Sequence, residues 1–190
     1  GGTSDSEDKK ELPPGVDIST EIPNRLDIVD KKGNGRPNFI GSKTVTEEQV
    51  GDNRASAAMM RHGRLKLANG ESIDAMVPVN SKNYPWTMNC HGYSVGMGAV
   101  WINNEAMTEF LGKTKLLERV AAPQMGDLAV WRGSDGIVRH SAVVSGSGSV
   151  TMASGIVVFE IPNGGGPSKV TTVTTESAWV GQAEYWRRVK

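Results

Sequence analysis

Apolar and polar residues follow two different periods along the chain. From Cys90 to about Leu117 the apolar residues recur at spacings of three and four, which predicts helix. After Pro123 the period falls to two, as in a strand with one buried face. The segments "DLAVWRG", "RHSAVVSG", "SVTMASG" and "VVFEIP" follow one another with short turn sequences between them, so we expect a run of antiparallel hairpins.

Weaker patterns flank this region. The segment "TVTEEQVGDNRASAAMMRHGRLKLANG" is a helix candidate, with Thr46 as N-cap and Gln49 three residues later, as in a capping box. The segments "GESIDAMVPVN", "KVTTVTT" and "AEYWRRVK" each predict a strand. Helices that precede a run of strands predict an α+β fold, in which the helices pack on one side of an antiparallel sheet.

The first 36 residues differ in composition from the rest of the chain. The stretch "GGTSDSEDKKELPPG" is charged and broken by prolines, and "DKKGNGRPN" concentrates glycine and proline. Residues 1–36 are therefore expected to form an extended or partly disordered leader. Residues 37–190 are expected to form one domain, since a chain of this length can bury a single hydrophobic core.

Composition argues against two classes of function. Lys and Arg together number 21, and Asp and Glu also number 21, so the chain lacks the basic surplus with which nucleic-acid-binding proteins neutralise phosphate. No apolar run is as long as a membrane span, and the first residues do not resemble a secretory signal. We therefore expect no membrane span, and a protein that is either cytoplasmic or secreted by a delivery system without its own signal peptide.

The single cysteine is the first candidate for chemistry. Cys90 lies in "YPWTMNCHGYSVGMG", near the predicted start of a helix, where the helix dipole favours thiolate over thiol. A thiolate nucleophile needs a base that takes its proton and returns it to the leaving group. His140, in the apolar strand "RHSAVVSG", is the candidate base. The alternative is a buried Cys90 in a non-enzymatic binding module.

Two segments resemble the CHAP amidases and the NlpC-type cell-wall peptidases. In "APQMGDLAVWRGSDGIVRHSAVVSG" a Pro-x-x-Gly-Asp turn opens a strand, and the next strand starts with a histidine at the catalytic position of those families; "NCHGYS" is similar to their cysteine motif. The resemblance runs from about Trp86 to Ser154, and "WVGQAEYWRRV" is similar to a closing strand of the NlpC type. It implies a papain-like fold, with Cys90 as a helix-borne nucleophile packed on an antiparallel sheet and His140 as its general base and acid.

The resemblance also implies a third polar residue, which lies on the strand after the histidine strand and orients the imidazole. Aligned as in the CHAP amidases, Ser154 takes this position. Aligned as in the NlpC peptidases, Met152 takes it, and we expect its thioether not to accept the hydrogen bond. Ser154 is therefore assigned to this catalytic role, and the alternatives are Thr151, Glu160, water or a backbone carbonyl.

Three neighbours of Cys90 are candidate substrate-binding residues. Asn89 stands where many relatives carry Asp, and its side chain or backbone is expected to help build the oxyanion site. Adjacent helix residues point about 100° apart, so His91 is not expected to share a proton path with Cys90 and is assigned a local structural or substrate-facing role. Trp86 is a candidate for lining the substrate cleft, although an aromatic residue beside such a helix is more often part of the core.

No metal site or cofactor is assigned. A zinc site would need Cys90, His91, His140 and His62 to converge on one ion. The sequence lacks the short paired spacings that are typical of structural zinc.

The resemblance implies a cysteine hydrolase whose substrate is an amide bond of peptidoglycan, either within the stem peptide or between peptide and sugar. Such a protein would be a phage lysin or an antibacterial effector delivered by a secretion system, and an effector would have an immunity or inhibitor protein as partner. The same fold and Cys-His pair also carry out deamidation, transglutamination and acyl transfer. A toxin that acts in this way on a protein substrate is therefore the alternative enzyme.

Overall fold

The computed structural model describes residues 39–44, 60–67, 69–78, 86–95, 100–153, 157–159 and 170–189. Within these residues the fold is α+β, with antiparallel sheets and short helices. The strands are β1 (Phe39–Thr44), β2 (Met60–Lys66), β3 (Ser72–Pro78), β4 (Trp86–Met88), β5 (Leu117–Val120), β6 (Leu128–Arg132), β7 (Val138–Gly146), β8 (Ser149–Ala153), β9 (Val157–Phe159), β10 (Val170–Thr174) and β11 (Glu184–Arg188). The helices are α1 (Cys90–Val95), α2 (Asn104–Lys113) and α3 (Thr175–Ala178).

The predicted leader, residues 1–36, lies outside the described residues. Among the helices that the structure does describe, none is long and apolar enough to cross a membrane.

The largest sheet has six strands in the order β10-β8-β7-β6-β11-β5. The pairs β6–β7 and β7–β8 are the consecutive antiparallel hairpins that the alternating pattern predicts. The closing strand β11 lies between β6 and β5, where Trp186 is opposite Leu128 on one side and Arg119 on the other. The last strand of the chain is therefore an inner strand of the sheet.

The turn before β6 is tied to this closing strand. Asp127 of the Gly-Asp turn is fully buried and accepts a hydrogen bond from the backbone N–H of Gln124 at 2.7 Å. Its carboxylate also accepts from Nε and Nη2 of Arg187 on β11, at 2.8 and 2.6 Å. Planar guanidinium and carboxylate groups pair well in this two-point geometry. The Gly-Asp motif thus has a structural role here, because it anchors β11 to the start of β6.

Strand β9 does not form the hairpin that the sequence predicts. "SVTMASG" and "VVFEIP" were expected to pair with each other, but β9 pairs with β4, the strand that leads into α1. The edge of β8 is taken instead by β10, whose residues Val170–Thr174 pair in register with Ala153–Ser149. A short connection favours a hairpin, and here pairing with more distant strands overrides that local preference.

The first predicted helix is also wrong over its second half. Residues 60–66 form β2, the central strand of a sheet in the order β1-β2-β3, so a sheet precedes the helices in the chain. Leu65 in this strand and Leu67 just after it are buried, while Arg64 and Lys66 are exposed, which is the two-residue period of a half-buried strand. Residues 45–59 of the predicted helix lie outside the described part.

In the described residues of the segment predicted as helix from Cys90 to Leu117, the helices are α1 and α2. Before α2 begins, Trp101 forms an isolated antiparallel bridge with Met76 of β3. Leu117 belongs to β5 and not to a helix. The apolar spacing therefore predicted the presence of helix correctly and its extent incorrectly.

The main core lies between the two larger sheets. Helix α2 packs against β3 and also against β7, and α1 packs against β7 and β8. Side chains of β2, β3, α1, α2 and β6 form one buried cluster, which includes Leu65, Ile73, Val95, Phe110 and Val130. The other face of the six-stranded sheet carries a second cluster around Trp131. This packing holds the start of α1 against the histidine strand.

Candidate active site

The start of α1 is capped by the residue before the cysteine. Asn89 Oδ1 accepts hydrogen bonds from the backbone N–H of Gly92 at 3.0 Å and of Ile102 at 3.2 Å. Asn89 Nδ2 donates to the carbonyl of Ile102 at 2.7 Å. This is the geometry of an asparagine N-cap, extended by a link to the segment before α2. The side chain that we expected at the oxyanion site is thus engaged in holding the helix, which leaves only the backbone of Asn89 for that role.

Gly92 lets the helix approach its neighbouring segment closely. A Cβ atom at this position would lie 1.9 Å from the carbonyl oxygen of Val100, which no side chain can tolerate. The glycine in "NCHG" therefore fixes where the first turn of α1 lies, and with it the position of the cysteine.

Cys90 is the first residue of α1, as the sequence predicts, and it is partly exposed. Its Sγ lies 3.6 Å from Nδ1 of His91. Burial by itself would raise the pKa of the Cys90 thiol. The charge of His91 and the hydrogen bonds from His140 and His91 outweigh burial, so the pKa of Cys90 lies well below its ordinary value. A thiol with these neighbours is chemically activated.

His91 lies in the interior and not on a substrate-facing surface. Its side chain is 0% exposed, with Nδ1 2.7 Å from Ser141 Oγ and Nε2 2.8 Å from Asn104 Oδ1. We expected His91 not to share a proton path with Cys90, but its ring reaches back to the sulfur, with Nδ1 3.6 Å away. Burial would lower the pKa of His91, but the neighbouring Cys90 and the hydrogen bond with Asn104 raise it above its usual value.

His140 lies on β7, opposite Trp131 of β6, and is 5% exposed. Its ring stacks on Trp179, with centroids 5.0 Å apart and an angle of 17° between the planes. The ring of Trp131 also packs against the His140 ring, with centroids 5.4 Å apart and an angle of 40° between the planes. Nε2 of His140 is 3.0 Å from the sulfur of Met152. Because Nε2 faces Met152, Nδ1 is the nitrogen of His140 that is left for proton exchange.

On the following strand, Met152 contacts the ring of His140. We expected the Met152 thioether not to accept a hydrogen bond from the imidazole. Its sulfur nevertheless lies within hydrogen-bonding distance of the His140 ring, and sulfur is a weak acceptor. Thr151 is directed elsewhere, since its hydroxyl is 2.7 Å from that of Thr172 on β10. Ser154 and Glu160 lie outside the described residues. Met152 can hold the imidazole in place but adds little electrostatic stabilisation to an imidazolium.

Trp179 is the neighbour of His140 that sequence reasoning missed. It follows α3, and 42% of its surface is exposed although its ring covers the imidazole. In the sequence, the only feature that could have indicated this contact was an aromatic residue within a turn segment. The predicted cleft residue Trp86 belongs to β4, opposite Phe159 of β9, and its side chain lies outside the described part.

The four residues considered for zinc do not form one cluster. His62 lies on β2 and lines a separate cavity of about 180 Å³ with Asp74 and Glu105. In the described part of the chain, no three His, Cys, Asp or Glu side chains are placed to hold a metal ion.

Comparison with family models, curated proteins and solved structures finds no match for this chain.

Proposed function

We propose that the protein is a cysteine-dependent amide hydrolase with a papain-like arrangement, in which Cys90 is the nucleophile and His140 the general base and acid. The observation that carries this proposal is the partly exposed Cys90 thiol at the start of α1, 3.6 Å from Nδ1 of His91 and with its pKa well below the ordinary value, a lowering to which His140 also contributes. Thiolate character of this kind is what a nucleophilic cysteine needs and a structural cysteine does not. The order of helix-borne cysteine, histidine strand and next strand supports the same reading.

The proposed reaction has two steps. The thiolate of Cys90 adds to the carbonyl carbon of the amide, and the tetrahedral intermediate collapses as the imidazolium of His140 gives its proton to the departing amine. The product of this step is a thioester on Cys90. Neutral His140 then takes a proton from a water molecule, which attacks the thioester and releases a carboxylic acid and the thiolate.

Peptidoglycan is the proposed substrate class. Support for it comes from "NCHGYS" and from the Pro-x-x-Gly-Asp segment, which resemble motifs of cell-wall amidases and peptidases. In that setting the protein is a lysin or a delivered antibacterial effector. The fold by itself does not select a substrate, since related sites act on different amides.

The test is digestion of purified peptidoglycan, with the soluble products identified by mass spectrometry. The wild type should release fragments with new carboxyl ends, and both Cys90→Ala and His140→Ala should lose more than about 99% of this activity. His62→Ala is the matched control, because this imidazole lines another cavity; it should keep wild-type activity. Equal release by Cys90→Ala and wild type would contradict the proposal, and absence of release by a folded wild type would remove peptidoglycan as the substrate.

A further inference from the structure

The thiol of Cys90 has two imidazole neighbours, whereas the proposed reaction uses one. His140 approaches from β7, and His91 approaches from the same helix, with its Nδ1 3.6 Å from the sulfur. We infer that His91 is a positioning residue that holds the Cys90 thiolate, so that His140 is left to transfer protons to and from the substrate. This inference deepens the proposed function and rests on it for its catalytic meaning.

The contacts of His91 explain why it holds charge but does not act on substrate. Its ring is fully buried, and Nε2 lies 2.8 Å from Asn104 Oδ1, which as an acceptor keeps a hydrogen on Nε2. In the neutral ring Nδ1 therefore carries the lone pair, and it faces both Ser141 and the sulfur. A buried ring with both nitrogens engaged inside the protein does not reach a leaving group.

The proton transfer within this cluster is balanced without another reactant. The S–H proton of Cys90 moves to Nδ1 of His91, which gives a thiolate and an imidazolium. The proton that His140 gives to the departing amine comes from solvent, and His140 regains it from the water that attacks the thioester. Ser141 Oγ, 2.7 Å from Nδ1, donates to the neutral ring and can turn to accept from the charged one. Asn104 accepts from Nε2 in both states, so the imidazolium keeps its hydrogen-bond partners after the transfer.

Few charged groups compete with this pair. The titratable group that faces His91 is Cys90 on α1. His140 on β7 acts on the same thiol but not on the His91 ring. Also on β7, Arg139 is engaged in an exposed ion pair. The sequences of β8 and β4, "SVTMA" and "WTM", contain no ionisable side chain, and Glu105 of α2 lines the cavity below β3. Cys90 and His91 therefore titrate as one coupled pair.

The arrangement predicts that Cys90 stays acidic when His140 is removed. A positive charge within about 4 to 6 Å lowers the pKa of an acid by about 1 to 3 units. A free cysteine has a pKa of about 8.5. In a His140→Ala protein the thiol should thus still ionise at least about one pH unit below free cysteine, because His91 remains in place.

The test is the rate of alkylation of Cys90 by iodoacetamide as a function of pH. The chain has one cysteine, so a single added mass on the intact protein reports this site alone. The proteins are wild type, His140→Ala, Asn104→Leu and Asn104→Asp, each checked for folding by thermal melting. Asn104→Leu removes the oxygen that accepts from Nε2 of His91 and keeps a side chain of similar size. Asn104→Asp keeps an oxygen acceptor at the same position.

The expected result has three parts. His140→Ala keeps an alkylation midpoint at least about one pH unit below that of free cysteine. Asn104→Leu moves the midpoint upward by about one pH unit, because an imidazolium without a partner for Nε2 is disfavoured. Asn104→Asp returns the midpoint to or below the wild-type value, which a purely structural role of Asn104 would not produce.

The inference is overturned if His140→Ala alone brings the midpoint to that of free cysteine, or if Asn104→Leu leaves the wild-type midpoint unchanged. Both measurements follow the thiol and not the hydrolysis. A low midpoint that depends on Asn104, in a protein that cleaves no amide, would thus remove the proposed function and leave the role of His91 intact.

Discussion

Replacement of Asn89 by Ala tests how the nucleophile is positioned. The Asn89 side chain makes the N-cap bond to Gly92 and two bonds to the backbone of Ile102, which is fully buried. Loss of an N-cap costs about 1 kcal/mol. Each bond to Ile102 contributes about 1 kcal/mol net, and more where a buried backbone group is left without a partner. Asn89→Ala should therefore lower the free energy of unfolding by about 3 kcal/mol.

Urea denaturation followed by tryptophan fluorescence measures this change. With an m-value of about 2 kcal/mol/M, the midpoint should fall by about 1.5 M. Asn69→Ala is the matched control, because Asn69 is exposed and its Oδ1 accepts one bond from the N–H of Glu71; it should cost about 0.5 kcal/mol or less. Equal losses for the two variants would show that Asn89 does not hold the helix.

Three further predictions concern the proposed active site. Met152→Leu removes the sulfur contact of His140 at similar volume and should lower kcat by about two- to tenfold, far less than His140→Ala, as measured on soluble peptidoglycan fragments. Trp179→Leu removes the stacked ring and should lower kcat by up to about tenfold; a change of the melting temperature large enough to explain that loss would argue instead for a structural role. Activity should follow a bell-shaped pH profile, rising as Cys90 ionises at its lowered pKa and falling at higher pH as the imidazolium loses its proton, and a flat profile would contradict a thiolate mechanism.

Local patterns in the sequence predicted the elements that carry the site. The strands predicted from "DLAVWRG" and "RHSAVVSG" are confirmed as β6 and β7, although both of their faces are buried and not one, and Cys90 begins a helix as expected. Asparagine is a favoured N-cap residue, so the bond from the N–H of Gly92 to Asn89 could have been predicted from residue type. The sequence analysis instead assigned the Asn89 side chain to the oxyanion site. These features depend on neighbouring residues, which is why sequence patterns capture them.

Features that depend on distant residues were not predictable in this way. The pairing of β9 with β4 and the ion pair of Asp127 with Arg187 join segments that lie far apart in the chain. The position of His91 was missed for another reason: the angle of about 100° between adjacent residues applies to Cβ directions. The imidazole is long enough, and Nδ1 close enough to its own backbone, to reach the sulfur of Cys90 at 3.6 Å.

The central claim is that Cys90 forms a covalent bond with its substrate. Its most direct test is the intact mass of the protein after rapid acid quenching of a reaction with soluble peptidoglycan fragments. We predict an added mass equal to the acyl part of the cleaved fragment, located on the peptide that contains Cys90 and absent from Cys90→Ala. Cleavage of the same fragments by Cys90→Ala at the wild-type rate, with no added mass on the wild type, would contradict the account.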